Sequence, residues 1–144
     1  MNNYYSILLI GKLLFTQKKE YNFMAEEEMS KQLQDQINRL QQIRMQLQMI
    51  MQQRQQVEIR LKEIEDALDE LNNTDEKTPI YKSVGAILIK VKGKDELKKE
   101  LKSNKESLEI RKNSLEKQEG NTKEKLNELQ SKVQNALSLS DISS

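Results

Sequence analysis

The chain has 144 residues, of which 33% are charged and 4% aromatic, and 24 basic against 23 acidic side chains leave a net charge of +1. This composition is typical of long helices with a narrow apolar stripe and excludes a thick globular core. The sequence contains neither Cys nor His, which excludes disulfides, thiolate nucleophiles, imidazole bases and most zinc sites. Because basic and acidic residues are interleaved along both long segments, there is no basic face of the kind that binding to nucleic acid requires.

Residues 1–23 differ in composition from the rest of the chain. Their apolar run, residues 7–15, is interrupted by Gly11 and Lys12 and is shorter than the about 20 apolar residues that span a bilayer. The run also lacks the positive start and small-residue cleavage site of a secretory signal. We therefore expect a poorly ordered amino-terminal extension, with Met24 as an alternative start of the chain. A membrane-associating segment is the alternative interpretation.

A heptad pattern then runs through residues 29–71. Alternating steps of four and three residues give thirteen positions, eleven of them apolar: Met29, Leu33, Gln36, Leu40, Ile43, Leu47, Ile50, Arg54, Val57, Leu61, Ile64, Leu68 and Leu71. This repeat, with no Gly or Pro inside, predicts a coiled-coil helix over about residues 27–72. Arg54 lies on this seam, where we expect it to fix the register or to extend to water.

Three methionines lie off the seam in the Gln-rich half of this helix. Met45, Met49 and Met51 occupy heptad positions f, c and e, and Ile37 is another apolar residue off the seam; a side chain at f or c has no coiled-coil partner. Methionine is flexible and polarizable, and proteins use it on surfaces that accept varied apolar partners. We interpret these side chains as a binding surface; the alternative is that they are ordinary scattered surface hydrophobes.

A β-hairpin is predicted over about residues 79–91. Pro79 and the polar residues before it end the helix, and β-branched residues then concentrate around Gly85, which suits the first central position of a type II′ turn. A lone apolar hairpin is marginally stable and tends to pair with other chains, although it could also fold back onto its own helices. The residues expected in this oligomerisation surface are Ile80, Tyr81, Val84, Gly85, Ile87, Leu88, Ile89 and Val91.

A second helix is predicted over about residues 95–137, followed by a frayed tail over 138–144. Its leucine repeat is weaker, because Asn104 and Arg111 occupy expected seam positions. An extra four-residue step is expected between Leu115 and Leu126, where Gly120 weakens the helix. The two helices are expected to fold back as a long antiparallel coiled coil, with the hairpin at the connecting end and both chain ends at the distal end.

The segment from Tyr81 to Lys90, YKSVGAILIK, placed between two long heptad helices, resembles the β-class prefoldin subunit over residues 24–137. The Gln-rich heptads are similar to those of archaeal members, whereas residues 1–23 have no counterpart in the family pattern. The resemblance implies a hexamer of two α and four β subunits, whose hairpins form a β-barrel platform that carries the coiled coils. It also implies a cytoplasmic chaperone that holds unfolded proteins at the coiled-coil tips and delivers them to a group II chaperonin, without ATP or another cofactor.

We therefore expect unfolded client proteins to bind at the distal tips, through Met29, Leu33, Ile37, Met45, Met49, Met51, Leu126, Leu129, Val133 and Leu137. The expected partners are a prefoldin α subunit, further copies of the chain, clients and the chaperonin, with neither nucleic acid nor membrane. We do not expect an enzyme, because a coiled-coil hairpin offers no concave pocket that would perturb a carboxyl pKa. A structural or tethering coiled coil is the alternative function.

Overall fold

The computed structural model describes residues 3–142 and is mainly helical. Its elements are α1 (Asn3–Asn73), β1 (Tyr81–Val84), β2 (Ile87–Lys90) and α2 (Lys94–Ile142). The two strands form one antiparallel sheet. The chain divides into two units: unit 1 comprises the described parts of Met1–Arg44 and Lys125–Ser144, and unit 2 is Met45–Glu124. The predicted class of two long helices with one hairpin is confirmed.

In unit 2, the two helices run in opposite directions. Arg54 of α1 contacts Glu119 of α2, whereas Glu65, further along α1, contacts Lys105, which comes earlier in α2. The apolar core of the unit contains Ile50, Val57, Leu61 and Leu115, with Leu108 packed against it. Every core residue on α1 belongs to the predicted heptad seam. The antiparallel pairing predicted from the sequence is therefore confirmed within this unit.

The seam of α2 differs from the predicted seam in its first half. Asn104 and Arg111 are exposed, whereas Lys105 and Lys112 are partly buried. The extra four-residue step therefore falls within residues 97–105. The aliphatic stems of lysine side chains can cover an apolar seam while their charged ends reach water, which explains why lysine occupies these positions.

The expected extra step between Leu115 and Leu126 is wrong. Glu119 and Thr122 are both buried, and together with these leucines they continue the alternating steps of four and three residues. Gly120 lies inside α2, which continues through it without a break. Sequence reasoning missed this continuity because it searched for apolar residues, whereas here the seam uses a carboxylate and a hydroxyl.

Unit 1 contains the amino-terminal part of α1 and the carboxyl-terminal part of α2. Leu40 and Val133 are its buried apolar side chains, and Leu33, Leu126 and Leu129 are partly buried. All five occupy positions that the two apolar repeats assign to the seam. The heptad pattern therefore predicts burial in this unit as well as in unit 2.

Both helices extend further than expected. α1 begins at Asn3 rather than near residue 27, and α2 ends at Ile142 rather than near residue 137. Extending an existing helix gains one backbone hydrogen bond for each residue fixed, and Gly11 is the only helix breaker in the added amino-terminal part. Residues 1, 2, 143 and 144 of the expected extension and tail lie outside the described residues. Within residues 3–142, no helix is long and apolar enough to cross a membrane.

Candidate functional site

The hairpin has the predicted turn and register. Tyr81 pairs with Lys90 and Val84 with Ile87, so the turn consists of Gly85 and Ala86 alone. Gly85 has φ of 60°, and no non-glycine residue among those described has a positive φ. A positive φ at the first central residue only is the pattern of a type II′ turn, whose twist matches that of the strands.

Apolar side chains of the hairpin are exposed on both faces of the sheet. Residues paired across antiparallel strands share a face, so Val84, Ile87 and Ile89 lie on one face and Tyr81 and Leu88 on the other. The exposed fractions of their side chains run from 47% for Val84 to 71% for Leu88. Both strands are also edge strands, whose outward backbone groups can pair with another chain. The hairpin is thus an unpaired apolar surface within this chain.

One side-chain contact joins the hairpin to α2, and another joins the adjacent ends of the two helices. Lys82 forms an ion pair with Glu100 of α2, and the ammonium group of Lys94 donates a hydrogen bond to the carbonyl oxygen of Thr74. Ile80 and Val91, joined by a backbone hydrogen bond of 2.9 Å, are partly buried below the strands. These two are therefore the least accessible residues of the expected oligomerisation surface, and the strands above them remain free.

Three exposed methionines of α1 in unit 2 are together called the methionine cluster; Met45 and Met49, four residues apart, share one side of the helix, and Met51 projects from another. Met45, Met49 and Met51 expose 66%, 57% and 41% of their surface. The neighbouring seam residues Leu47 and Ile50 are partly buried and buried, respectively. The contrast follows from the heptad phase, which places Leu47 and Ile50 in the seam, Met45 and Met49 on the outer side of α1 and Met51 at the edge of the seam.

The remaining expected client-binding residues lie in unit 1 and differ in accessibility. Met29 and Leu137 are exposed by 63% and 45%, whereas Val133 is buried with 7% exposure. The others, Leu33, Ile37, Leu126 and Leu129, are partly buried. Val133 can therefore meet a client only where the helices separate, whereas Met29 and Leu137 can do so without any rearrangement.

A polar cluster interrupts the apolar seam of unit 2. The Nε of Arg54 donates to Oε2 of Glu119 at 2.6 Å, and its Nη1 donates to Oε1 of Glu58 at 2.6 Å. The Nζ of Lys123 donates to the other oxygen of Glu119, also at 2.6 Å. The Glu119 side chain is only 9% exposed, so both of its oxygens receive a charge-assisted hydrogen bond where water is scarce.

These contacts set the protonation of the cluster. Hydrogen bonds from Lys123 and Arg54 lower the pKa of the Glu119 carboxyl, outweighing burial, which acts in the opposite direction. Hydrogen bonds to Glu119 and Glu58 raise the pKa of the Arg54 guanidinium. The cluster is therefore charged and internally paired. Its role is to join α1 and α2 at one register, because Glu119 meets its cross-helix partner at a single pairing of the two helices.

Sequence reasoning identified Arg54 as a seam residue but missed Glu119 as its partner. The signal was present, because Glu119 lies four residues after Leu115 and Thr122 follows after three more. The hydroxyl of Thr122 donates to the carbonyl oxygen of Gln118 at 2.7 Å, so this buried polar side chain is also satisfied. Among residues 3–142, no group of three or more acidic, His or Cys side chains could hold a metal ion.

Comparison with known proteins relates the chain to one family. A family model described as "Prefoldin subunit" matches residues 34–138. The prefoldin subunit beta of Archaeoglobus fulgidus is 46% identical over 111 residues, which cover 77% of this chain and 95% of the relative. That of Thermoplasma volcanium is 42% identical over 110 residues, covering 76% of this chain and 89% of the relative. A crystal structure of the prefoldin beta subunit from Thermococcus strain KS-1 matches with a TM-score of 0.66 and 40% identity, covering 74% of this chain and 92% of that chain.

Proposed function

The chain belongs to the prefoldin family as a chaperone subunit of the β class, and we propose that it acts as a holdase that captures unfolded proteins on its coiled-coil arms. The family is one of chaperone subunits, not of enzymes. In this proposal the captured chain passes to a group II chaperonin in the cytoplasm. Release follows from competition by the chaperonin for the same apolar segments.

The observation that carries the proposal is the methionine cluster. Its three side chains are exposed by 41% to 66%, although each contact with water is unfavourable and none contributes to the seam. Flexible thioether side chains adapt to apolar segments of different shape, which a chaperone needs because its clients share no sequence. The surrounding Gln residues keep the empty surface hydrated.

Capture of this kind requires no nucleotide. A surface that binds the unfolded state and not the native state holds back aggregation by mass action alone. Met29 and Leu137 of unit 1 add further exposed apolar contacts for the client. Each contact is weak, but several arms that hold one client raise its effective concentration and so its overall affinity.

The hairpin supports assembly of the arms into one particle. Its five exposed apolar side chains and two free strand edges are typical of a surface that pairs with other hairpins. We propose that copies of this hairpin and those of an α subunit form a common β platform, with two α and four β chains. The attachment through Lys82 and Glu100 would then fix each arm to the platform.

The test replaces Met45, Met49 and Met51 together by Gln. A chemically unfolded client is diluted into the α-containing complex, and light scattering follows its aggregation. Burying one methionine on a client contributes roughly 1.5–3 kcal/mol, so capture should weaken by at least about tenfold for each methionine engaged. Native mass spectrometry should give the same assembly for the variant and the parent.

A matched control removes exposed apolar surface outside the cluster. Ile59 and Ile110 are 54% and 71% exposed and lie outside the methionine cluster on α1 and α2. Ile59→Gln with Ile110→Gln should leave suppression of aggregation unchanged. If the triple methionine variant suppresses aggregation as well as the parent, the holdase proposal fails and a tethering coiled coil becomes the better explanation.

A further inference from the structure

The amino-terminal part of α1 is an exposed apolar helix outside the region that matches the prefoldin family. We call residues 4–23 the amino-terminal segment; the family match begins at residue 34. Eleven apolar side chains of the segment expose between 58% and 82% of their surface: Tyr4, Tyr5, Ile7, Leu8, Leu9, Ile10, Leu13, Leu14, Phe15, Tyr21 and Phe23. A soluble monomer rarely presents so large a continuous apolar surface without a binding role.

The aromatic residues of the chain are concentrated here. The chain contains four Tyr and two Phe, and all of them except Tyr81 lie in the amino-terminal segment. Amphipathic aromatic rings, tyrosine in particular, prefer the boundary between water and hydrocarbon, where the ring is buried and the hydroxyl stays hydrated. The heptad arms, which bind another helix, contain no aromatic residue. The segment therefore has a different chemistry from a coiled-coil surface.

Four of these side chains form one apolar stripe, and the others are distributed around the rest of the helix. Ile7, Ile10, Leu14 and Tyr21 follow one another at steps of three, four and seven residues, which places them along one side of a helix. At about 1.5 Å per residue the segment is roughly 30 Å long. Such a face can bury many side chains at once when the helix lies flat on an apolar layer.

The charged side chains of the segment are mainly basic, although Lys18, four residues after Leu14, borders the apolar stripe. Residues 3–23 contain Lys12, Lys18 and Lys19 and a single acidic residue, Glu20, which gives them a charge of +2, whereas the chain as a whole has a charge of +1. Lys12 and Lys19 are seven residues apart and so lie on the same side of the helix. A partner with negative charge is therefore favoured, and a second copy of the same segment is disfavoured by repulsion.

The local contacts are compatible with an apolar surface nearby. The hydroxyl of Thr16 donates to the carbonyl oxygen of Lys12 at 2.8 Å, so this hydroxyl remains hydrogen-bonded where water is excluded. The Nζ of Lys19 lies 5.3 Å from the centroid of the Phe15 ring. A lysine in this position can extend its ammonium group toward phosphate groups while the ring enters the hydrocarbon.

From the exposed apolar face, the aromatic rings and the lysines, we propose that the amino-terminal segment binds the surface of a membrane that contains anionic lipids. The helix lies parallel to the membrane plane, with its apolar face among the acyl chains and its lysines at the lipid phosphates. This attachment holds the chaperone subunit at a membrane surface, where it meets unfolded chains. The proposal is independent of client capture by the methionine cluster.

The experiment uses the full chain, assembled with its α partner, and vesicles of two compositions. One vesicle contains phosphatidylcholine alone, and the other contains equal parts of phosphatidylcholine and phosphatidylglycerol. Cosedimentation gives the bound fraction against lipid concentration. We expect binding to the anionic vesicles that weakens as salt is added, and much weaker binding to the neutral ones, because each lysine near an anionic surface contributes about fivefold to the partition coefficient.

Two variants separate the charged from the apolar contribution. Lys12→Gln with Lys18→Gln should lower the partition coefficient for anionic vesicles by roughly 25-fold. Leu14→Gln should lower it by about tenfold or more for both vesicles, because it removes a side chain from the buried face. Ile110→Gln is the matched control, since Ile110 is an exposed apolar residue of α2, and it should leave binding unchanged. All four side chains are exposed, so folding should be unaffected.

Three results would overturn the proposal. The first is equal binding to both vesicles with no effect of the lysine substitutions. The second is no vesicle binding together with self-association that Leu14→Gln abolishes, which would make a second copy the partner. The third is no vesicle binding together with loss of client capture by Leu14→Gln, which would make unfolded protein the partner.

Discussion

Replacing Gly120 by Ala should stabilise the protein, and the structure fixes the size of the effect. Gly120 lies well inside α2 and is exposed, and a Cβ added there meets no heavy atom within 4 Å. The change therefore involves neither a steric clash nor a new contact. What remains is intrinsic helix propensity, which favours Ala over Gly by about 0.8–1 kcal/mol in a helix interior, partly because the unfolded chain loses freedom.

The assay is thermal and urea unfolding followed by circular dichroism at fixed protein concentration. For a chain of this size, a gain of about 1 kcal/mol raises the melting temperature by roughly 4 °C. A second glycine, Gly85, provides an internal control, because its replacement by Ala should destabilise the protein. Gly85 also has open space around an added Cβ, but its φ is +60°. An L-residue in this conformation costs about 1–2 kcal/mol, so Gly85→Ala should increase amide exchange in the hairpin.

An unchanged or lower melting temperature for Gly120→Ala would contradict this prediction. Such a result would mean that residue 120 is not helical in solution, or that the chain needs the freedom of glycine at this point. A stabilising effect at both glycines would refute the argument from φ. The two substitutions should change stability in opposite directions because of backbone conformation alone, since neither added methyl group meets a neighbouring atom.

Three further predictions concern the seam and the hairpin. Glu119→Gln should remove stability that the parent has in full above about pH 4.3 and loses as the pH falls through the lowered pKa of this carboxyl, so urea midpoints of the two proteins should differ near neutrality and converge in acid. Leu115→Ala, at 5% exposure in the core of unit 2, should cost about 2–5 kcal/mol in urea unfolding, whereas Ile110→Ala at 71% exposure should cost less than about 0.5 kcal/mol. Ile87→Lys with Ile89→Lys should abolish assembly with an α subunit in native mass spectrometry and leave the helical circular dichroism signal intact; an unchanged assembly would contradict the proposed role of the hairpin.

The seam of α1 could be read from the sequence because its repeat is almost entirely apolar. Positions such as Leu40, Ile50, Val57 and Leu61 are buried where the seven-residue spacing predicts, because a side chain on this stripe must leave water when a partner helix is present. The hairpin could also be predicted, because Gly85 favours a two-residue type II′ turn and that turn determines how the two strands pair. At these positions the residue type that favours the local helix or turn also favours the observed pairing of helices or strands, so the sequence predicts both.

The seam of α2 was harder to predict from the sequence, because several of its buried or partly buried residues are polar or charged. Lys105 and Lys112 are partly buried through their aliphatic stems, and Glu119 is buried because two cations surround it. Whether a lysine or a glutamate lies in the seam depends on which residues of the partner helix face it. The hydrophobicity of the residue alone does not predict this. The start of α1 at Asn3 is a similar case, because a helix can continue into residues that have no packing partner of their own.

The polar cluster gives the antiparallel arms of unit 2 a definite register. Leucines and isoleucines repeat every seven residues, so shifting one helix by a heptad would again place apolar side chains together. The same shift would separate Arg54 from Glu119 and leave a buried carboxylate without its cross-helix partner. Removing one partner of a buried ion pair is strongly unfavourable, even where the pair itself contributes little net stability. The cluster therefore selects one pairing of the two arms.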